Sequence, residues 1–263
     1  MSPTLALNGQ FCKRHSLGTA CEKHGLLGTL SRLRAPAYQA EDINDMNLEQ
    51  ARFNMVEQQI RTWEVSDQSI LETMEAIPRD HFVAQAQKNL AYAELQLPIG
   101  HGETMMWPTI EAKLLQALEI RPSDHIIEVG TGSGYLTALL AKLGNRVESL
   151  EYHEDLKQQA AERLKSLNIN NVKLRKTDAL GEWKGDLPYY DVIAVTGSMP
   201  VDAHVFAKRL AIGGRLFVVL GEPPVMRATL ITRVADKEFT QQGLFETRLK
   251  PLIGLEPKPD FVF

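Results

Sequence analysis

His125-Ile126-Ile127-Glu128-Val129-Gly130-Thr131-Gly132-Ser133-Gly134-Tyr135 is the stretch that decides the fold of this chain. An apolar run leads into glycine at every second position, and a helix-forming run, Leu136 to Leu143, follows. That order reads as strand, tight turn and helix. Such a turn brings bare backbone and a helix N-terminus close to a ligand. Downstream, Val147-Glu148-Ser149-Leu150-Glu151-Tyr152 reads as the next strand, with an acid at its carboxyl end.

Two classes of nucleotide-type ligand use a turn of this kind, and a glycine-rich turn without any ligand is the third alternative. The dinucleotide fingerprint is G-x-G-x-x-G. Here the third glycine arrives one residue early, so the register for a pyrophosphate is wrong. An acid two residues before the first glycine, as Glu128 stands, suits a ligand that carries an ammonium group. Glu151 is placed to accept hydrogen bonds from both hydroxyls of a ribose. The pattern over Glu128, Gly130, Thr131, Gly132 and Gly134 resembles motif I of the S-adenosyl-L-methionine-dependent methyltransferases.

Outward from this stretch the chain alternates between the two periods. Strands are expected at 125–130, 146–151, 172–176, 190–195 and 215–220, with helices at 134–143, 154–167 and 202–211 between them. Alternation of this kind implies right-handed crossovers and a mostly parallel, doubly wound α/β sheet with helices on both faces, Rossmann-like in build. Arg227 to Val234 and Glu238 to Thr247 read as a C-terminal antiparallel hairpin closed by Ala235-Asp236-Lys237. Before the sheet lies an N-terminal helical segment, with helices at 47–61, 67–76 and 109–118 and a loop-rich stretch, 81–108, between the last two. Glu128, Glu151, Asp178 and Thr196 all fall at strand carboxyl ends, where such sheets bind ligands. By resemblance to the methyltransferase class, Asp178 meets an adenine amino group and the Ala179 amide meets a ring nitrogen. Taken alone, Asp178 reads equally well as a turn cap.

The 263 residues suffice for one large domain or two small ones. A 44% apolar and 24% charged composition is that of an ordinary globular protein. No apolar run reaches the roughly 18 residues of a membrane span. A net charge of −4 gives no global basic field for nucleic acid. Residues 46–263 are expected to form one methyltransferase domain, divided into a helical acceptor-side segment (46–118) and a cofactor-binding sheet (119–263).

Residues 1–45 show no sustained period and are expected to be a disordered extension, or untranslated sequence before a start at Met46. Both cysteines lie there, in a near repeat, Cys12-x-x-His15 and Cys21-x-x-His24. The two pairs supply the right ligand types for zinc, but the gap between them is short for familiar fingers, so no metal is expected. The absence of cysteine from the rest fits a reducing compartment, and the expected location is cytoplasmic.

A more specific resemblance covers the chain from about Asn54 to Leu255. Its pieces are Met55-Val56-Glu57-Gln58-Gln59-Ile60, Ile77-Pro78-Arg79-Asp80-His81-Phe82-Val83, Ala91-Tyr92, Leu97-Pro98-Ile99-Gly100-His101-Gly102-Glu103-Thr104, the glycine turn, Tyr190-Asp191-Val192-Ile193-Ala194-Val195-Thr196 and Gly213-Gly214-Arg215-Leu216. In order and spacing these resemble the protein-L-isoaspartate O-methyltransferase family. The resemblance implies S-adenosyl-L-methionine as cofactor, a protein or peptide bearing isoaspartate as substrate, and an acceptor site formed partly by the N-terminal helical segment.

The chain departs from the family at one informative place. The family runs G-x-G-Q-T-I-S-x-P, and its serine is the residue given the catalytic role. Here the run is Gly100-His101-Gly102-Glu103-Thr104-Met105-Met106-Trp107-Pro108. Glu103 replaces the glutamine and Met106 the serine. A carboxylate acceptor is already ionised at pH 7 and needs no general base, only a donor that orients it. Methionine has no donor. Met105, Met106 and Trp107 either line the acceptor site with soft, apolar surface or pack against the N-terminal helices. His101 is a candidate base toward a hydroxyl acceptor or a solvated loop residue, and Thr104, Thr196 and Ser198 are further acceptor-side candidates. Three functions remain open on the sequence. One is isoaspartyl protein methylation for repair. Another is methylation of a small apolar or aromatic acceptor by an enzyme of the same descent. The third is cofactor binding without transferase activity.

Overall fold

In a computed structural model, residues 47–256 are described. The expectations for residues 1–45, including the Cys12, His15, Cys21 and His24 metal reading, lie outside the described residues. Six helices run in chain order: α1 (Leu48–Asn54), α2 (Gln68–Ala76), α3 (Pro108–Leu118), α4 (Tyr135–Leu143), α5 (Glu154–Ser166) and α6 (His204–Ala207). Nine strands accompany them: β1 (Pro98–Gly100), β2 (Glu103–Thr104), β3 (His125–Val129), β4 (Arg146–Glu151), β5 (Val172–Lys176), β6 (Tyr190–Met199), β7 (Leu210–Glu222), β8 (Val225–Ala235) and β9 (Glu238–Glu246).

Seven strands form one sheet in the order β5-β4-β3-β6-β7-β8-β9. The pairs from β5 through β7 are parallel, and β8 and β9 add an antiparallel edge, as expected. Successive strand residues point to opposite faces. Ile126, Val192 and Phe217 therefore enter one core, with α2, α3 and α4 over it, while Ile127, Ile193 and Leu216 enter the other. That second core is covered by Phe206 and Ala207 of α6 and by Leu180, Trp183 and Leu187 of the preceding irregular segment. None of the described helices is long and apolar enough to cross a membrane.

Three boundaries differ from expectation, each for a local reason. The first helix changes register: α1 passes into a π-helical turn over Met55–Ile60 and a 3-10 turn over Arg61–Trp63. Met55 and Ile60 are five residues apart and both fully buried. An α-helix would turn them away from each other, whereas an i to i+5 register keeps them on one face. The helix expected at 202–211 is only the four residues of α6, because Leu210 already pairs with Tyr190 as the start of β7. The β6 strand, expected to end at 195, runs to Met199, so Thr196 and Ser198 lie within it rather than after it.

The expected loop-rich segment, 81–108, contains the β1–β2 hairpin. His101 and Gly102 form its turn with φ of 54° and 72°. This positive-φ pair is the turn geometry that matches strand twist. The hairpin leads into α3, and one buried ion pair fastens that junction. Arg79, fully buried, donates to Glu111 of α3 and, from Nη2 at 2.7 Å, to the Met106 carbonyl. Its guanidinium also stands 4.8 Å from the centre of the Tyr135 ring, at the start of α4. One side chain thus ties three elements together.

Breaking a buried pair strands the remaining charge, which costs about 3–5 kcal/mol. Arg79→Met is therefore expected to lower unfolding stability by about that amount in urea denaturation. Arg79→Met combined with Glu111→Leu is expected to regain most of the loss.

Candidate active site

The sheet order reverses beside β3: β4 and β5 lie on one side, β6 and β7 on the other. An open cavity, about 860 Å³ with the open solvent at its mouth included, occupies the carboxyl ends of these strands. This is where ligands bind in open α/β sheets. Gly130, Gly132, Glu151, Asp178, Ala179 and Thr196 line its floor. The β1–β2 hairpin and Met106 form one wall, and Leu249 to Ile253 form another.

The glycine turn is bent by close approaches. Gly130, Gly132 and Gly134 have φ of 96°, 53° and 89°. A Cβ on Gly130 would stand 2.2 Å from Thr196 Oγ1. That hydroxyl donates to the carbonyls of Val129, at 2.9 Å, and Gly130, at 3.1 Å. A Cβ on Gly134 would stand 3.1 Å from the Ala160 Cβ. The turn therefore has no room for side chains at its first position and little at its third. Thr131, also expected in the site, is buried and lies behind the turn, its hydroxyl 2.5 Å from Ser149 Oγ.

Glu151 is held rigidly. One carboxylate oxygen accepts from the Gly132 amide at 2.8 Å, and the other accepts from the His153 amide at 2.9 Å. Each oxygen keeps a second lone pair for a ligand hydroxyl. Asp178 Oδ1 accepts from the Leu180 amide at 2.9 Å, so it caps its own turn while lining the cavity beside Ala179. Asp178 is thus a turn cap whose residue also lines the cavity.

Glu128 is not in the cavity wall. It is completely buried behind the turn, where Oε2 accepts from Thr137 Oγ1 and Ser149 Oγ, both at 2.6 Å. Its Oε1 has no partner. Burial pushes its pKa up to about 8, against the opposing pull of the two hydroxyl donors. In a strand of period two, Val129 faces the cavity and its neighbour faces away.

The acceptor-side candidates divide. Met106 lines the cavity and is 6% exposed. Thr104 and Thr196 line it too, but the Thr196 proton is committed to the two carbonyls. Met105 lines a smaller recess beside the glycine turn, and Trp107 packs against the core at the N-terminus of α3. His101 is outside the cavity wall. Its Nε2 pairs with Asp155 at 2.8 Å and its ring stacks on His153 at 4.0 Å, which clasps the hairpin to the end of β4. Ser198, 1% exposed, donates from Oγ to the Leu249 carbonyl at 3.0 Å and anchors the far wall.

Three residues had no assigned role in the sequence. Arg79 and Glu111 are a base and an acid, both buried, and such residues are almost never fully buried unless paired. Burial raises the Glu111 pKa to about 7 despite Arg79. Lys250 lines the cavity and pairs with Glu103, another lining residue. It carries no motif signal, since only folding brings it to the hairpin. Among the described residues no cluster of His, Cys, Asp and Glu fits a metal ion.

The buried Glu128 makes stability pH-dependent. An unfolded glutamate titrates near 4.3. Between there and about 8, the folded protein holds a proton that the unfolded chain has released. The stability present below this window is therefore lost as pH rises through it, at up to about 1.4 kcal/mol per pH unit. Glu128→Gln is expected to flatten that decline in denaturant titrations stepped from pH 5 to pH 8.

A family model for protein-L-isoaspartate (D-aspartate) O-methyltransferase matches residues 50–256. Protein-L-isoaspartate O-methyltransferase 2 of Pelobacter propionicus is 35% identical over 211 residues, which are 80% of this chain and 93% of that protein. The protein-L-isoaspartate O-methyltransferase of Trichlorobacter lovleyi is 36% identical over 209 residues, 80% of this chain and 96% of that protein. A crystal structure from Plasmodium falciparum, provisionally assigned to the same activity and bound to S-adenosyl-L-homocysteine, superposes with a TM-score of 0.68 at 24% identity. It covers 76% of this chain and 97% of that one, a likeness of fold. With a family model over residues 50–256 and relatives about 35% identical over four-fifths of its length, this chain belongs to the protein-L-isoaspartate (D-aspartate) O-methyltransferase family.

Proposed function

We propose that the protein transfers a methyl group from S-adenosyl-L-methionine to the misplaced carboxylate of isoaspartate in proteins or peptides. The cofactor half of this reading is carried by the preorganised Glu151, whose carboxylate is braced by the Gly132 and His153 amides in the floor of the cavity, and the acceptor half by membership of the family. The residues fit the cofactor. Glu151 would hold ribose hydroxyls, Asp178 and Ala179 would face the base, and the bare Gly130–Gly132 backbone would leave room for the chain that bears the sulfur. When bound, the cofactor supplies an electrophilic methyl on a sulfonium.

The residues of this chain do the positioning. Thr196 pins the glycine turn through two carbonyls, and Arg79 pins the Met106 backbone, so both walls are rigid around the reacting line. Met106 and Leu249 give the cavity apolar surface that excludes water. One oxygen–carbon bond forms and one sulfur–carbon bond breaks; sulfur keeps the electron pair. The carboxylate becomes a neutral ester, and no proton moves at the acceptor. A methyl ester is a better leaving group than a carboxylate. The following backbone nitrogen closes onto it, releases methanol and gives a succinimide that water reopens. Such substrates arise on ageing proteins, and a cytoplasmic setting suits a chain without cysteine over residues 47–256.

A second reading, a small apolar acceptor, is favoured by the thioether of Met106 in the cavity wall. Incubation with labelled S-adenosyl-L-methionine separates the two. Base-labile label on an isoaspartyl peptide, absent from the same peptide with ordinary aspartate, is the expected result. An unlabelled isoaspartyl peptide, with label from a cell extract entering the organic phase, would move the assignment to the second reading.

A further inference from the structure

The cavity is rich in negative charge for an enzyme whose acceptor is an anion. Glu103, Glu151 and Asp178 all line it. The serine-type donor expected at position 106 is a buried methionine. Among the described lining residues Lys250 is the only lysine or arginine. We propose that Lys250 captures and orients the acceptor carboxylate, replacing the hydroxyl lost at Met106, and that Glu103 holds its ammonium in place until the acceptor arrives. The proposal rests on the isoaspartyl reading above.

The geometry supports a built position. Lys250 Nζ donates to the Glu103 carboxylate and, at 3.3 Å, to the Gly102 carbonyl at the hairpin turn. Its backbone is fixed: the Lys250 carbonyl accepts from the Ser198 amide at 2.9 Å, and the Leu252 amide donates to the Ser198 carbonyl at 3.0 Å. Gly197 permits this, since a Cβ there would stand 2.6 Å from Leu252 Cδ2. The lysine stem thus leaves an anchored irregular segment and reaches the β1–β2 hairpin, with its side chain 45% exposed. An ammonium has three donors, so it can stay on the Glu103 carboxylate while it takes a second carboxylate from the acceptor. Two of the three positions that depart from the family run, Glu103 and Met106, are then a single adaptation. Glu103 does not repel the acceptor, because the lysine between them neutralises it.

The charge logic specifies which step Lys250 serves. The carboxylate loses its charge as the methyl transfers, so an ammonium binds the ground state at least as well as the transition state. Lys250 is therefore a group for capture and orientation, felt mainly in KM. It also releases the neutral ester, for which it has no charge attraction.

The test is binding of an isoaspartyl hexapeptide to full-length protein saturated with S-adenosyl-L-homocysteine, measured by calorimetry, alongside steady-state kinetics. Lys250→Met keeps most of the stem volume and removes the charge. It is expected to weaken the peptide about ten- to hundredfold in both Kd and KM, as for loss of a hydrogen bond between charged groups. Its kcat should change far less, and its affinity for S-adenosyl-L-homocysteine should be unchanged. Lys250→Arg should retain most of the peptide affinity. The proposal is overturned if Lys250→Met binds the peptide as tightly as the unaltered protein does, if S-adenosyl-L-homocysteine binding falls in parallel, or if arginine does not rescue. Unaltered protein that binds no isoaspartyl peptide would instead remove the functional reading on which the proposal rests.

Discussion

No side chain fits at position 130, and much of the site follows from that. The β6 strand passes so close to the end of β3 that Thr196 Oγ1 occupies the space a Cβ would need, 2.2 Å away. The hydroxyl uses that proximity by donating to two successive carbonyls, Val129 and Gly130. On the other side, the Gly130 and Thr131 amides donate to the Leu150 carbonyl at 2.9 and 3.2 Å. The turn is therefore clamped between β4 and β6. Glu151 then reaches the Gly132 amide from the end of β4 and presents its free lone pairs to the cavity. A cofactor site built this way is set by backbone and two short side chains, which is why it is rigid before any ligand enters.

The acceptor side rests on a different constraint, a charge buried in an apolar junction. Arg79 is surrounded by the hairpin exit, α3 and the start of α4, and it satisfies the Met106 carbonyl as well as Glu111. The position of residue 106 is thus specified by the backbone, whatever side chain stands there. This lets the chain exchange a hydroxyl for a thioether without moving the wall. The donor function then passes to the opposite wall, where Ser198 fixes the segment that carries Lys250. Cofactor geometry and acceptor chemistry are separable in this fold, and the departure at Met106 belongs only to the second.

Much of the fold is legible in the sequence, because burial on both faces of the sheet leaves continuous apolar strands separated by helical periods. The parallel order, the hairpin edge and the glycine turn all follow from those patterns. Placements that depend on distant contacts do not. The π-helical register at Met55–Ile60 answers to packing, and the early start of β7 at Leu210 answers to its pairing with Tyr190. Glu128 was expected beside a ligand and lies behind the turn; the period of two in β3 already contained that information, since Val129 and Glu128 must face opposite ways. Lys250 had no local signal at all. It meets Glu103 across most of the chain, through an irregular segment after β9 that bridges to Ser198 of β6.

The central claim is that this cavity methylates a carboxylate held by Lys250 rather than by a hydroxyl at residue 106. A crystal structure with S-adenosyl-L-homocysteine and an isoaspartyl peptide tests it most directly. The account predicts the isoaspartyl carboxylate within hydrogen-bond distance of Lys250 Nζ, with Glu103 no longer its sole partner. A peptide carboxylate bound elsewhere in the cavity, with the Glu103–Lys250 pair intact, would contradict it.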